Sequence, residues 1–194
     1  IQEIDQLVAL ASLLASRSGQ QVVYASLAKE VRVSENTARA WIGALSALHH
    51  GFLVKPWHRS VAAAIRKEPK WFLRDWSQIG DSGQRAETFV GCHLLKAVEG
   101  WTDLGLGQFE LFYIRDKQKR EVDFLVARDQ KPWFLVEVKQ SDTALSPVLG
   151  HMQRQIGAKH AFQVVINEPF VNTSCFDHKA PIVVPARTLL SQLL

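Results

Sequence analysis

The sequence predicts a mixed α+β / α/β chain in two parts, a helix-rich module over residues 1–75 and an αβββαβ domain with a mixed sheet over 82–194. Three observations predict it. The stretch KREVDFLVARDQKPWFLVEVKQ (119–140) has the pattern of a β-hairpin. Residues 3–17 and 35–49 repeat apolar side chains at helical spacing. After residue 82, one helical pattern is followed by three strand patterns, a second helix and another strand.

The hairpin organises the chain. Residues 121–127 begin with alternating apolar and charged positions, and 133–139 are aromatic and β-branched. Between them Arg128-Asp129-Gln130-Lys131-Pro132 is turn chemistry, with Pro132 tolerated only at the mouth of the second strand. Alternation places Glu121, Asp123 and Leu125 on one face of the first strand, and Leu135, Glu137 and Lys139 on one face of the second. A turn centred on Gln130 sets Asp123 opposite Glu137 and Glu121 opposite Lys139, with Cβ atoms roughly 4.5–5.5 Å apart. Two carboxylates at that separation can share a hard divalent cation, which lowers the pKa of a bound water and polarises a phosphoryl oxygen. A neighbouring lysine can orient that water or stabilise charge developing on the phosphate. The same residues also read as ordinary cross-strand ion pairs. The apolar context favours the first reading, because two facing carboxylates in a half-buried place repel without a cation.

In the N-terminal part, Ile4, Leu7, Val8, Ala11 and Leu14 form the apolar stripe of a first helix, closed near Gly19. A shorter helix is expected over 24–31 and a third over 35–49, opened by Ser34 as N-cap, with Ala38, Trp41/Ile42, Leu45 and Leu48 inward. Two short helices joined by a tight turn match a helix-turn-helix. The strand patterns at 52–57 and 70–75 would add the β-wing of a winged helix. Nucleic-acid contacts would then come from Asn36 and Arg39 on the third helix and from Lys55, Trp57 and Arg59 on the wing, with His58, Arg66, Lys67 and Lys70 nearby. The rival reading is a module that packs against another domain and binds no nucleic acid.

Composition narrows the class. The 194 residues are 47% hydrophobic and 22% charged, ordinary for a globular protein. No apolar run approaches the roughly 20 residues of a membrane helix, and nothing reads as a secretory signal. Cys92 and Cys175 are too few for a disulfide framework and have no zinc-ligand spacing, so a reducing, cytoplasmic setting is expected. The net charge of +4 lies in residues 1–75, which hold ten Lys/Arg against six Asp/Glu; the remainder is neutral. That imbalance suits a polyanion partner for the N-terminal part. The first residue is Ile, so either a piece of a longer protein or a processed chain is expected.

The α-β-β-β-α-β order, with Glu87 on the first helix, Asp123 on the second strand and Glu137-Val138-Lys139 on the third, resembles the PD-(D/E)xK superfamily of restriction endonucleases and RecB-type nucleases. The resemblance implies that Asp123 and Glu137 bind Mg²⁺ (or Mn²⁺), that Lys139 assists the attacking water, and that Glu87 completes the metal and catalytic set. Val122 stands where that pattern has Pro. Over nearly its full length, through SENTARAWIGAL (34–45), FLVKPW (52–57), KWFLRD (70–75), RAETFV (85–90) and YIRDKQKREVDFLV with VEVK (113–139), the chain is similar to the C-terminal region of bacterial and archaeal AAA+-type ATPases. In that region a winged helix precedes a PD-(D/E)xK-like domain of unknown function. No G-x-x-x-x-G-K-[ST] occurs, so an ATPase domain is expected upstream in the full-length protein. The resemblance implies a metal-dependent domain hydrolysing phosphodiester bonds, with DNA the expected nucleic-acid partner and no membrane. Its rival is a catalytically inactive nuclease-fold module serving protein or nucleic-acid binding for the ATPase.

Overall fold

The computed structural model describes residues 2–57 and 68–193. His58, Arg59, Arg66 and Lys67, four of the expected wing residues, lie outside the described residues. The chain opens with three helices, α1 (Gln2–Ser16), α2 (Tyr24–Val31) and α3 (Glu35–Ala47), followed by strands β1 (Gly51–Pro56) and β2 (Lys70–Leu73). A long helix α4 (Ser82–Asp103) leads into β3 (Phe109–Arg115), β4 (Glu121–Arg128) and β5 (Lys131–Lys139). Helix α5 (Pro147–Ile156), β6 (His160–Val165), β7 (Ile182–Pro185) and α6 (Ala186–Leu190) complete the order.

All seven strands join one mixed sheet in the order β2-β1-β3-β4-β5-β6-β7. The β1–β2 hairpin is antiparallel and joins the rest of the sheet through a short parallel pairing of β1 with β3, Lys55 with Phe112 and Pro56 with Tyr113. The β3–β4 and β4–β5 pairs are antiparallel, and β5–β6 and β6–β7 are parallel. One face of the sheet is covered by α4 and α6 through Val90, Leu94, Val98, Phe124, Phe134, Phe162 and Leu189. The other is covered by α5 through Leu149 and Met152 against Leu125 and Leu135. Helices α1–α3 pack on Trp71 and Leu53, the alternate positions to Phe72 and Val54 of the α4 face.

Local chemistry accounts for several boundaries. Ser34 caps α3 by accepting the Thr37 N–H at 3.0 Å, as its position predicts. Asp81 does the same for α4 through Gln84 N. The tip of the central hairpin is Asp129-Gln130, both in the left-handed region (φ 50° and 61°), the twist that matches a two-residue hairpin turn.

Three expectations are corrected. In α1 the buried stripe is Leu10 and Leu14, while Ile4 and Val8 are 64% and 60% exposed. Apolar positions on both sides of Leu7 satisfy a 3.6-residue period, so only the partner surface chooses between the two stripes. Leu48 is 77% exposed because α3 ends at Ala47 and His49 turns the chain at φ 58°. Helix α4 runs through Gly100 to Asp103, where the sequence pattern predicts a helix ending at Glu99 and a loop over 100–107, because Trp101 is buried among Phe109 and Trp133. Its tertiary packing outweighs the roughly 1 kcal/mol that one glycine costs a helix.

Two glycines in helices give opposite expectations. A Cβ on Gly91 of α4 would stand 2.8 Å from Cζ of Phe124, so this glycine lets the helix approach the sheet beneath Glu87. Gly91→Ala is expected to cost about 1–3 kcal/mol by overpacking. Nothing lies within 4 Å of a Cβ on Gly43. Gly43→Ala in α3 is expected to stabilise by roughly 0.5–1 kcal/mol through helix propensity alone. Denaturant unfolding of the two variants, with opposite signs, checks both.

Candidate functional site

Two irregularities in the sheet build the site. The β4–β5 ladder pairs Arg128 with Lys131 and Ala127 with Pro132, then Val126 with Phe134, so Trp133 is an extra residue on β5. The turn is centred between residues 129 and 130, and the bulge shifts the register by one so that Phe124 pairs with Val136. Continuing that register brings Asp123 across from Glu137. The approach of Asp123 to Glu137, whose charge acts on the Asp123 carboxyl, therefore follows from a turn and a bulge together. Beyond Phe124 and Val136 no further β4–β5 pair forms, and the Val138 N–H donates instead to Oδ2 of Asp123 at 2.8 Å.

The second bulge lies between β3 and β4. Phe112 pairs with Leu125 and Ile114 with Val122, so Asp123 and Phe124 together face Tyr113. Leu125 and Val122 both join the α5-side core, and Phe124 joins the α4-side core. The regular alternation of Glu121, Asp123 and Leu125 is thus broken at Asp123, a bulge re-aiming a side chain as bulges commonly do. Glu121 does not meet Lys139. It pairs with Arg115 on β3, and its carboxylate lies on Lys70, a residue of the far hairpin.

Lys70 is the centre of the cluster. Its side chain is 5% exposed, with Nζ 3.0 Å from Oε1 of Glu87 and 2.6 Å from Oε1 of Glu121. Burial disfavours its ammonium, but Glu87, Asp123 and Glu121 outweigh burial and hold its pKa above that of an ordinary lysine. Glu87 reaches it from α4, with its carboxylate also against Gly19, whose φ is 81°. Burial raises the Glu87 carboxyl above its usual range, and Lys70 offsets this in part. Asp123 is pushed well above the carboxylate range, by burial first and then by the charges of Glu87 and Glu137. Glu137 is 8% exposed; its Oε1 accepts from Nζ of Lys139 at 2.8 Å, and its Oε2 is buried with no hydrogen-bond partner.

A polar network ties the cluster to the N-terminal part. Gln21 Nε2 donates to the Tyr113 hydroxyl at 2.9 Å, and Arg115 Nη1 donates to Gln21 Oε1 at 3.0 Å. The Tyr113 hydroxyl donates to the Glu68 carbonyl at 2.7 Å, and Ser18 and Thr88 hydroxyls meet at 2.8 Å.

Of the four residues expected to act together, Asp123, Glu137 and Lys139 converge, while Glu87 converges on the same cluster but is bonded to Lys70. Among the described residues no group of three or more His, Cys, Asp or Glu side chains is arranged to hold a metal ion. The partial fit to a cation rests on the unpartnered Glu137 Oε2 beside Asp123, two acidic groups with more acceptor capacity than donors. Lys70 was grouped by sequence with the basic wing residues. The signal for its burial is its place at the head of the all-apolar run Trp71-Phe72-Leu73, where a lysine must find a counter-ion. The expected nucleic-acid residues are elsewhere. Asn36 and Arg39 are exposed on α3, and Arg39 lies over the Tyr24 ring at 3.8 Å and bonds Glu35 at 3.0 Å. Lys55 is exposed on β1, and Trp57 packs edge-on against Phe112 at 5.0 Å.

Two family models match the chain. Residues 1–79 match a family described as a domain of unknown function (DUF8612). Residues 82–174 match a second domain of unknown function (DUF4143), which is commonly found at the C-terminus of AAA-type ATPases. No curated protein and no solved structure matches the chain. Among the described residues no helix is long and apolar enough to cross a membrane.

A carboxyl whose folded pKa lies above its unfolded value binds its proton more tightly in the fold. Its contribution to stability therefore falls as pH rises from the ordinary carboxylate range through the raised value. Asp123→Asn removes the buried charge and keeps an oxygen for the Val138 N–H. Thermal melts in EDTA are expected to show this variant melting higher than the wild type at neutral pH, with the difference shrinking as pH is lowered.

Proposed function

We propose that the chain is the C-terminal module of an AAA-type ATPase that engages nucleic acid, with a winged-helix-like N-terminal part and a PD-(D/E)xK-like second part. In this reading Asp123 and Glu137 hold one Mg²⁺ and Lys139 assists hydrolysis of a phosphodiester. The observation that carries it is the buried, unpartnered Oε2 of Glu137 beside an Asp123 whose carboxyl resists ionisation. Magnesium is often held by one or two carboxylates with substrate phosphate supplying further oxygens, so a two-acid site is sufficient. When bound, the ion would polarise the phosphoryl oxygen and lower the pKa of the attacking water. Lys139 is held beside Glu137 and is one-third exposed, and in this reading its ammonium stabilises charge developing on the phosphate. Lys117 and Lys119, exposed in the turn between β3 and β4, add local attraction for the backbone in a part of the chain with no net charge.

A second reading, an inactive module that binds protein or nucleic acid for the ATPase, is favoured by Lys70, which already supplies a cation to Glu87. Purified wild type and variants assayed in parallel with Mg²⁺ or Mn²⁺ separate the two. The first reading expects Asp123→Ala to lose metal binding and cleavage together. It expects Lys139→Ala to keep the metal and lose the rate, since a charged lysine offers no lone pair to a cation. Cleavage that persists equally in both variants is contamination, and absence of cleavage and of metal binding in the wild type supports the inactive module.

Nucleic-acid engagement has its own test. Binding by the wild type is expected to weaken with salt through counterion release, and Lys55→Glu to weaken it across sequences and flatten the salt slope. Filter binding at several salt concentrations checks both, and a protein-docking role for the N-terminal part predicts no binding even at low salt.

A further inference from the structure

We propose that Lys70 is a positioning residue that acts as the resident cation of the site, holding Glu87 and Glu121 away from any metal and leaving Asp123 and Glu137 as the open pair. The inference deepens the reading of Asp123 and Glu137 given above and rests on it for the word open. It stands on geometry. The ammonium is 3.0 Å from Glu87 and 2.6 Å from Glu121, at 5% side-chain exposure, and 5.5 Å from the Tyr113 ring centroid. Glu87 from α4 and Glu121 from β4 meet on this ammonium, and Asp123 and Glu137 lie close enough that their charges and that of Glu87 act on one another. One of them, Glu137, has a buried oxygen without a partner. Hard divalent cations bind such oxygen-rich clusters, with affinity set by carboxylate number and charge. Lys70 meets that demand on one side of the cluster with a covalently tethered single charge.

The tether has a consequence. Lys70 lies on β2, paired with Val54 of β1 and bridged to Gln21, while Gly19 and Gln20 bond the backbone of Trp71. The cation is therefore delivered by the part of the chain on which α1–α3 pack. The N-terminal part sets which acids of the second part are available to a metal.

Removing the ammonium should convert the cluster into a divalent-cation site. Mn²⁺ binding by calorimetry, and thermal melts in EDTA and in excess Mn²⁺, are read without any substrate on wild type, Lys70→Met, Lys70→Arg and the Lys70→Met/Glu87→Gln pair. Lys70→Met is expected to melt lower in EDTA, to regain its melting temperature with Mn²⁺, and to bind Mn²⁺ about tenfold or more tighter than wild type. Lys70→Arg, which keeps a cation in place, should show the wild-type Mn²⁺ response, and Glu87→Gln should abolish the gain. The same series in an Asp123→Asn background separates the two ideas. There the gain should persist through Glu87 and Glu121, whereas loss of the wild type's own Mn²⁺ binding on Asp123→Asn alone reports only on the Asp123–Glu137 reading. A merely structural lysine predicts equal loss of stability with and without Mn²⁺. A folded Lys70→Met with the wild-type Mn²⁺ response, or one that stays unfolded even in excess Mn²⁺, overturns the proposal.

Discussion

The structure depends on one buried ammonium. Lys70 enters a cluster of acids drawn from α4 and β4, and without it Glu87 would lose its ion-pair partner while Glu121 would keep its longer contact with Arg115 at 3.7 Å. Breaking such a pair typically costs about 3–5 kcal/mol, because the charge left behind has no water to turn to. The same contact joins the two parts of the chain. Lysine comes from the hairpin beneath α1–α3, and its partners come from the domain beyond residue 82. The Ser18–Thr88 and Tyr113–Gln21–Arg115 hydrogen bonds surround it, so the junction is polar at its centre.

Around that ammonium the sheet places its acids through irregularity. A regular β4 would send Asp123 and Leu125 to the same side, and a regular β5 joined by the observed turn would miss the facing of Asp123 and Glu137. The bulge opposite Tyr113 and the extra residue Trp133 correct both. Where the ladder stops, the Asp123 carboxylate takes the Val138 N–H that a neighbouring strand would otherwise satisfy. The outcome is an acid pair at the mouth of two diverging strands, with Lys139 on its open side and Lys70 on its closed side.

This division of labour bears on function. In the proposed site two acids are held by lysine and two are open, so a metal there would complete its shell with water in the absence of substrate and with phosphate oxygens in its presence. Such a site is sensitive to whatever moves the hairpin carrying Lys70. DUF4143 is commonly found at the C-terminus of AAA-type ATPases.

The sequence by itself determined the strands and most helices. Alternation in 121–127, the β-branched run at 133–139 and the Ser34 cap are local signals, and local physics decides them. It also marked Asp123, Glu137 and Lys139 as neighbours, since a hairpin brings together residues that a short turn already relates. Tertiary structure alone decided which stripe of α1 is buried, because Ile4 and Leu10 are equally apolar and only the partner surface distinguishes them. It alone decided that Glu87 and Glu121 meet Lys70, because a contact between residues 17 and 51 positions apart leaves no periodic trace in a single chain. Charge pairing across such distances is set by where the backbone carries each group, and that depends on the whole sheet.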